Sequence, residues 1–457
     1  MRNILFQKEK PAFSIRVIHL DLKGLPPTPK RLLELLDILA ELRYNTILVE
    51  WENMFPWTVD SEFRSPKYYT PKQLDGFYKK AKELKIELIP LVQTIGHMET
   101  FLSPPKYKHL RECPDKSDVI NPLAKGSKSF IESLVNDVLK QMPHINHFHL
   151  GGDEAWTFGT NPMTKDFIKI NGKSQLFLDH IESIIDLLST HNIRPIMWHD
   201  MVRQCDISSL ERIKEKVDIM IWGYHEHPDR TTSHYNTNTI KFLHDCGFTL
   251  WGATAYKGAD GDTSDVPNLR RRYKNASAWV SKGKQFSFKG LVATGWSRYS
   301  TNRPQNEPID AALDSLANIA TLFHDGVLPY KKTSNLCIEA LGEIKQASCF
   351  KTVKKALQQL SQTRRALWDH LNSLCEQIAI EKLYPKRRTS KTSTLLLSVA
   401  PEKRQALDDA AKQVKEVLKG LVDEIHIEEY LSVRLNAIDN ITDYLSSEIA
   451  LLNSCED

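Results

Sequence analysis

Short runs of β-branched and aromatic residues alternate with longer amphipathic stretches through the first 330 residues. The runs are 14–21, 46–51, 87–93, 146–150, 194–199, 218–224, 248–254 and 290–296, and most are continuously apolar. That pattern predicts parallel strands buried on both faces. Helical periodicity fills the gaps over 30–43, 72–84, 128–141, 174–190, 238–246, 268–281 and 310–323. In the first of these, Leu32, Leu35, Leu36, Leu39 and Leu42 share one face behind a Thr28-Pro29 start, an N-cap followed by proline at the first helical position. Residues 206–216 give only a short helical signal. Eight strands alternating with helices predict a (β/α)8 TIM barrel. An open doubly wound sheet would need a glycine-rich phosphate loop after its first strand, and Lys23-Gly24-Leu25-Pro26-Pro27 is not one.

After Pro329 the strand signal ends. Val353, Leu357, Leu360, Leu367, Leu371, Leu374 and Ile378 keep three- and four-residue steps, as do Ala410, Val414, Val417 and Leu421, then Ile438, Ile441 and Leu445. These are amphipathic helices that either dock on the barrel or pair two copies of the chain as a homodimer. The expected division is an N-terminal extension (1–12), a catalytic barrel (13–328) and an α-helical C-terminal region (329–457). Residues 384–393, with Lys386-Arg387-Arg388, read as a solvated basic loop between helices, although a nuclear-import signal has the same composition.

Composition narrows the class. Hydrophobic content of 41% and charged content of 26% describe an ordinary globular chain. A net charge of +4 gives no reason to expect nucleic acid as a partner, and no apolar run is long enough for a membrane span. The N-terminal MRNILFQKEK lacks a signal-peptide core, and the seven cysteines are scattered without a CxxC. Both features point to a cytoplasmic, reducing setting.

Chemistry in such a barrel sits where the strands end. The fourth strand ends His149-Leu150-Gly151-Gly152-Asp153-Glu154-Ala155-Trp156. Adjacent acids on a strand point to opposite faces, but the two glycines can relax that restraint and let both carboxyls reach one pocket. Two close carboxyls in different environments can supply an acid and a base at neutral pH. A bare Asp-Glu pair is more often a solvated loop; here its place at a strand end and its glycines argue otherwise. Trp51, Trp198, Trp222, Trp251 and Trp296 sit in or just after strands, where indole faces can stack on sugar rings or simply fill the core. Trp222 and Tyr224 share a strand face, as do Trp296 and Arg298. His97 ends the third strand, Glu50 and Glu52 the second, His19 and Asp21 the first. His147, His149, His199 and His225 superficially suggest a metal-dependent amidohydrolase, but that pattern wants its HxH on the first strand and an acid, not Arg298, after the eighth. No metal or other cofactor is expected.

His149-Leu150-Gly151-Gly152-Asp153-Glu154 matches the HxGxDE hallmark of glycoside hydrolase family 20, the β-N-acetylhexosaminidases. The stretches Pro90–His97, Asn45–Glu52 with Phe55-Pro56-Trp57, and His19–Gly24 resemble its other strand ends, most nearly those of its non-lysosomal branch. The resemblance covers roughly residues 13–325. It implies exo-hydrolysis of a terminal β-linked N-acetylgalactosamine or N-acetylglucosamine, with retention, the substrate's acetamido oxygen acting as nucleophile through an oxazolinium ion. It further implies that Glu154 is the proton donor and that Asp153, ionised, holds the acetamido N–H and keeps the Glu154 pKa high. His97 and Glu52 would support Glu154. Trp198, Trp222 and Trp296 would wall the sugar, and Tyr224 (favoured) or Tyr256 would donate to the acetamido oxygen. Asp21, Arg16 and Glu307 would serve the sugar end of the site, with Arg298 standing where relatives place an acid. A barrel that binds sugar without cleaving it is the alternative reading.

Overall fold

A computed structural model describes residues 5–384 and 392–454. Eight parallel strands close into a barrel in sequence order: β1 (Ile15–Asp21), β2 (Thr46–Glu50), β3 (Glu87–Leu91), β4 (His147–His149), β5 (Arg194–Trp198), β6 (Asp218–Trp222), β7 (Leu250–Lys257) and β8 (Gly290–Gly295). β8 closes onto β1, with Ile15 opposite Gly290 and Ile18 opposite Ala293. Inside, Val17, Leu48, Ile89, Leu91, Ile196, Trp198, Met220, Trp251, Ala253 and Val292 form one packed cluster, so the barrel is filled rather than hollow. The outward-facing strand residues pack under the helices in a second, larger cluster.

Local chemistry sets the element ends. Thr28 caps the helix Pro29–Glu41 and Thr70 the helix Pro71–Glu83, each with proline at the first position. Asn236 and Asn268 cap later barrel helices in the same way. Arg43, Lys85, Asn192 and Ser287, each in the turn from a barrel helix into the next strand, take left-handed backbone angles that end the helix. The segment 206–216 holds only the one-turn helix Ile207–Leu210. The helix Pro162–Asn171 leaves a single residue, Thr164, buried, and this absence of a buried face explains why no periodicity announced it.

Beyond the barrel, the helix Tyr330–Glu343 buries Cys337 and Leu341 in the barrel's own hydrophobic cluster. Three longer helices follow, Phe350–Leu383, Thr392–Leu418 and Glu424–Ser454, and share a separate core with Leu25 and Ala311. The basic-loop reading of residues 384–393 falls mostly on positions 385–391, outside the described residues. The long helices seat on the strand-end face of the barrel. Thr28 donates its backbone N–H to the carbonyl of Leu421 at 2.8 Å, and Arg434 donates to the carbonyl of Gln305 at 2.9 Å. Arg434, Arg364 and Tyr430 together enclose the buried Asp265 of the loop after β7. Among the described residues no helix is long and apolar enough to cross a membrane.

Candidate active site

A cavity of about 310 Å³ opens at the strand ends, lined by His97, Asp153, Glu154, Trp222, Tyr224, His225, Gly258, Ala259, Gly261, Asp262, Trp296, Tyr299 and Asn306. The backbone after β4 brings both acids into it. Gly151 and Gly152 take φ of 69° and 91°, and Glu154 itself sits at φ 46°. A side chain at Gly151 would lie 1.9 Å from the Gln93 amide oxygen, so glycine is required there for space as well as angle. Gly96 lets the β3 loop approach just as closely, since a Cβ there would meet the Asp153 carbonyl at 2.2 Å. Three residues of this region, Glu52, His97 and Glu154, hold left-handed angles that cost non-glycine residues energy, a pattern typical of functional sites.

His97 Nε2 lies 3.3 Å from Glu154 Oε2 and 3.5 Å from Asp153 Oδ2. The two acids differ in burial, and their protonation follows. Burial pushes the Asp153 carboxyl up to about 7 even though His97 opposes it, and the neighbouring Asp200 and Glu154 charges add to the rise. Burial acts on Glu154 too, but hydrogen bonds from His97 and Tyr299 outweigh it, and its pKa falls below the ordinary value. The directions are opposite to the expectation that Asp153 is the more acidic of the two and holds the Glu154 pKa high. His97, despite burial, is raised to about 10 by the Asp153 charge and its bond to Glu154, so it is an imidazolium at neutral pH.

Trp222 and Trp296 present their rings to the cavity. Trp222 stacks on Tyr224 at 5.3 Å and 24°, as their shared strand face implied. The Tyr224 hydroxyl and the Trp296 indole N–H are buried beside one another, and neither makes a well-formed hydrogen bond. Tyr256 is excluded as the acetamido donor: it points into the helical layer against Gly295 and Gly295's neighbours in the hydrophobic core.

Several expected contacts lie elsewhere. Trp198 is fully buried in the barrel interior, 6.0 Å from Trp296, as floor rather than wall. Arg16 belongs to the opposite end of the barrel, donating to the carbonyls of Phe13 and Arg43 at 2.8 Å, because it sits at the start of β1. Arg298 does not share a face with Trp296, since β8 stops at Gly295 and the chain turns; it reaches outward to Glu429 at 2.6 Å. Glu307 stands behind the wall, accepting from the Gly258 N–H at 3.0 Å. Asp21 and Glu52 are beneath the cavity. Asp21 accepts from the Ser297 N–H at 2.7 Å, and Lys23 bridges Asp21 at 3.2 Å to Glu50 at 2.7 Å. Glu52 accepts from the Thr100 hydroxyl, with Lys23 4.0 Å away, and no direct contact ties it to Glu154. Trp51 and Trp251 also lie outside the site. Trp51 is in an aromatic cluster with Phe55, Tyr69 and Phe77, and Trp251 is bonded to Asp218 at the far end of the barrel.

The histidines do not converge. His147 pairs with Glu87 at the strand starts, His149 accepts from the Gly151 N–H inside the barrel, and His199 meets His234 at 3.1 Å. Among the described residues no group of three or more metal-binding side chains comes together.

Two contributors went unread in the sequence. Asp200, just after β5, accepts the Glu154 backbone N–H at 2.9 Å and the Trp222 indole N–H at 3.1 Å. Tyr299, in the loop after β8, donates to Glu154 Oε2 at 2.7 Å. Extending the strand-end rule by four residues past β5 and β8 would have included both.

Paired carboxyls beside aromatic faces are equipment for glycoside chemistry. The glycosyl hydrolase family 20 catalytic domain model matches residues 13–308, and the chain belongs to this family. Hexosaminidase D of Homo sapiens is 30% identical over 325 residues, covering 69% of this chain and 66% of that protein, just under two thirds of its length. Hexosaminidase D of Bos taurus is 30% identical over 314 residues, covering 66% of this chain and 90% of that one. A solved β-N-acetylhexosaminidase from Bacteroides fragilis aligns with a TM-score of 0.58 at 15% identity, over 74% of this chain and 72% of that chain, which supports the fold.

Proposed function

We propose that this chain is an exo-β-N-acetylhexosaminidase that cleaves a terminal β-linked N-acetylgalactosamine or N-acetylglucosamine with retention, using the substrate's acetamido group. The observation that carries the reading is the meeting of Asp153 and Glu154, with different surroundings, in one cavity walled by Trp222 and Trp296. The volume of about 310 Å³ suits one monosaccharide, which fits exo action. The Tyr224 hydroxyl, buried without a well-formed hydrogen bond, can donate to the acetamido oxygen, and Asn306, Asp262 and His225 supply polar groups for ring hydroxyls. Six described cysteines are unpaired, in keeping with a cytoplasmic setting.

The protonation pattern gives the order of events. Without substrate the balance of proton affinity favours Asp153, raised by burial, over Glu154, lowered by its bonds to His97 and Tyr299. A bound acetamido N–H needs an acceptor, which favours ionised Asp153 and transfers the proton to Glu154. The acetamido oxygen then attacks the anomeric carbon as the glycosidic C–O bond breaks, and Glu154 protonates the departing oxygen. Asp153 stabilises the positive charge on the cyclised ring. Glu154, now a carboxylate, takes a proton from water as that water attacks the anomeric carbon and reopens the ring with net retention.

The test is hydrolysis of aryl N-acetyl-β-galactosaminide and N-acetyl-β-glucosaminide. At least one is cleaved, and Glu154→Gln lowers kcat by about 10²–10⁴-fold. A thiazoline analogue of the cyclised intermediate inhibits strongly. Full activity in Glu154→Gln, or indifference to the thiazoline, overturns the reading.

A further inference from the structure

The loop after β8 is fastened at points on both sides of one residue. Ser297 is tied to Asp21 through its N–H and its hydroxyl, both at 2.7 Å. Arg298 donates to the Arg303 carbonyl at 2.6 Å and to Glu429, on the helix Glu424–Ser454, at 2.6 Å. Thr301 lies 3.3 Å from the Thr100 hydroxyl. Between these anchors Tyr299 donates to Glu154 Oε2 at 2.7 Å and sets its ring edge against His97 at 5.8 Å. Tyr299 is 50% exposed and touches Trp156 as well as His97, so the anchors on either side add to a light packing of its ring. It lines the sugar-sized cavity and also a second depression of about 360 Å³ that continues past Glu154 to Trp156 and Lys116.

We propose that Tyr299 is a displaceable positioning residue for the Glu154 carboxyl, and that the C-terminal helical region holds it there through the Arg298–Glu429 pair. The inference rests on the assignment of Glu154 as proton donor. The oxygen that Tyr299 occupies is open to the second depression, where a leaving group extending from the sugar cavity must pass. In this proposal the incoming glycosidic oxygen takes the hydroxyl's place on Oε2, which His97 also contacts. Removing that donor destabilises the carboxylate, so Glu154 gains proton affinity at the step that needs an acid. When the leaving group departs, Tyr299 returns and restores the charged form. The helical region thus acts on the chemistry without touching substrate.

The groups facing Glu154 are Asp153 beside it, His97 after β3, Asp200 after β5, Tyr224 and His234 after β6, and Tyr299 after β8. The experiment is a ¹³C-carboxyl NMR titration of the full chain, with the Glu154 resonance assigned by its loss in Glu154→Gln. In Tyr299→Phe the Glu154 midpoint rises by about one pH unit, the lower end of what a hydrogen bond to a charged group provides. Arg298→Met and Glu429→Gln raise it less, and neither adds to Tyr299→Phe. Glu429 is a half-exposed surface residue, so its variant keeps the test open if another fails to fold. An unchanged midpoint in Tyr299→Phe overturns the proposal, and full additivity of Glu429→Gln with Tyr299→Phe overturns the helical coupling. The alkaline limb of kcat/KM on the aryl aminosugar moves with the midpoint. A shifted midpoint in a protein that hydrolyses no aminosugar upholds Tyr299 as the residue that tunes Glu154 and overturns both the hexosaminidase reading and the displacement step.

Discussion

Where the barrel strands begin, Asp218 accepts from the Arg194 guanidinium at 2.8 Å, the Trp251 indole at 2.9 Å and the Lys289 ammonium at 3.0 Å, and Arg16 is met by backbone carbonyls. Where the strands end, Asp153 Oδ1 and Asn306 Oδ1 are buried with no partner, and the neighbouring Tyr224 hydroxyl and Trp296 indole are buried without a well-formed hydrogen bond. Both ends bury polar groups inside one sheet, yet only one completes their hydrogen bonds. An unmade buried hydrogen bond costs about 1–3 kcal/mol, so the open end holds unmet bonding capacity that a ligand can satisfy. The closed end contributes stability and the open end contributes chemistry.

Substitutions separate the two contributions. The largest expected effect is at the closed end. Asp218→Ala removes the one carboxylate that Arg194, Lys289 and the Trp251 indole share and costs about 3 kcal/mol of unfolding free energy. Protein that remains folded keeps its kcat/KM; denaturant melting alongside kinetics checks both halves, and a kinetic defect without a stability loss contradicts the comparison. At the open end, Asp200→Ala releases the Glu154 backbone and the Trp222 ring together. It lowers kcat/KM by roughly 10-fold or more, the scale of one lost hydrogen bond to a charged group, while the melting midpoint changes little.

The smallest effect is in the pH dependence of stability. Burial raises Glu52 to about 7, as it does Asp153, so between about pH 4 and 7 the folded chain keeps protons that the unfolded chain has released. His97, raised to about 10, extends the same sign to higher pH. Stability contributed by these groups is present at low pH and is lost as pH rises through their folded pKa values. Buried His149, His199 and His234, held neutral by desolvation, contribute the opposite sign, so the readout is the difference between two proteins: from pH 5 to 8 the Tm of Asp153→Asn gains relative to that of the native chain. An equal slope in that variant means the Asp153 carboxyl is not the buried proton holder.

Much of this was legible along the chain. Eight apolar runs located all eight strands, because a parallel strand buried on both faces has to be apolar throughout. Gly151-Gly152-Asp153-Glu154 marked the acid pair, because only glycines could bring adjacent carboxyls to one pocket. Trp222 and Tyr224 were paired correctly by the two-residue period of a strand. Reading failed where a strand ended earlier than its apolar run. Arg298 was given the face of Trp296, but the turn after Gly295 sends it to the helical region. Arg16 and Trp251 carried suitable chemistry at unsuitable heights, since sequence type does not report how far along a strand a residue sits.

The chain alone determined the barrel, the acid pair and its family, because each depends on local spacing. The tertiary structure decided which acid is more buried and therefore has the higher proton affinity. It also decided which tyrosine reaches the cavity, and it brought Asp200 and Tyr299 to Glu154 from loops 46 and 145 residues away. Those outcomes depend on depth and on contacts between distant segments, and no periodicity encodes either.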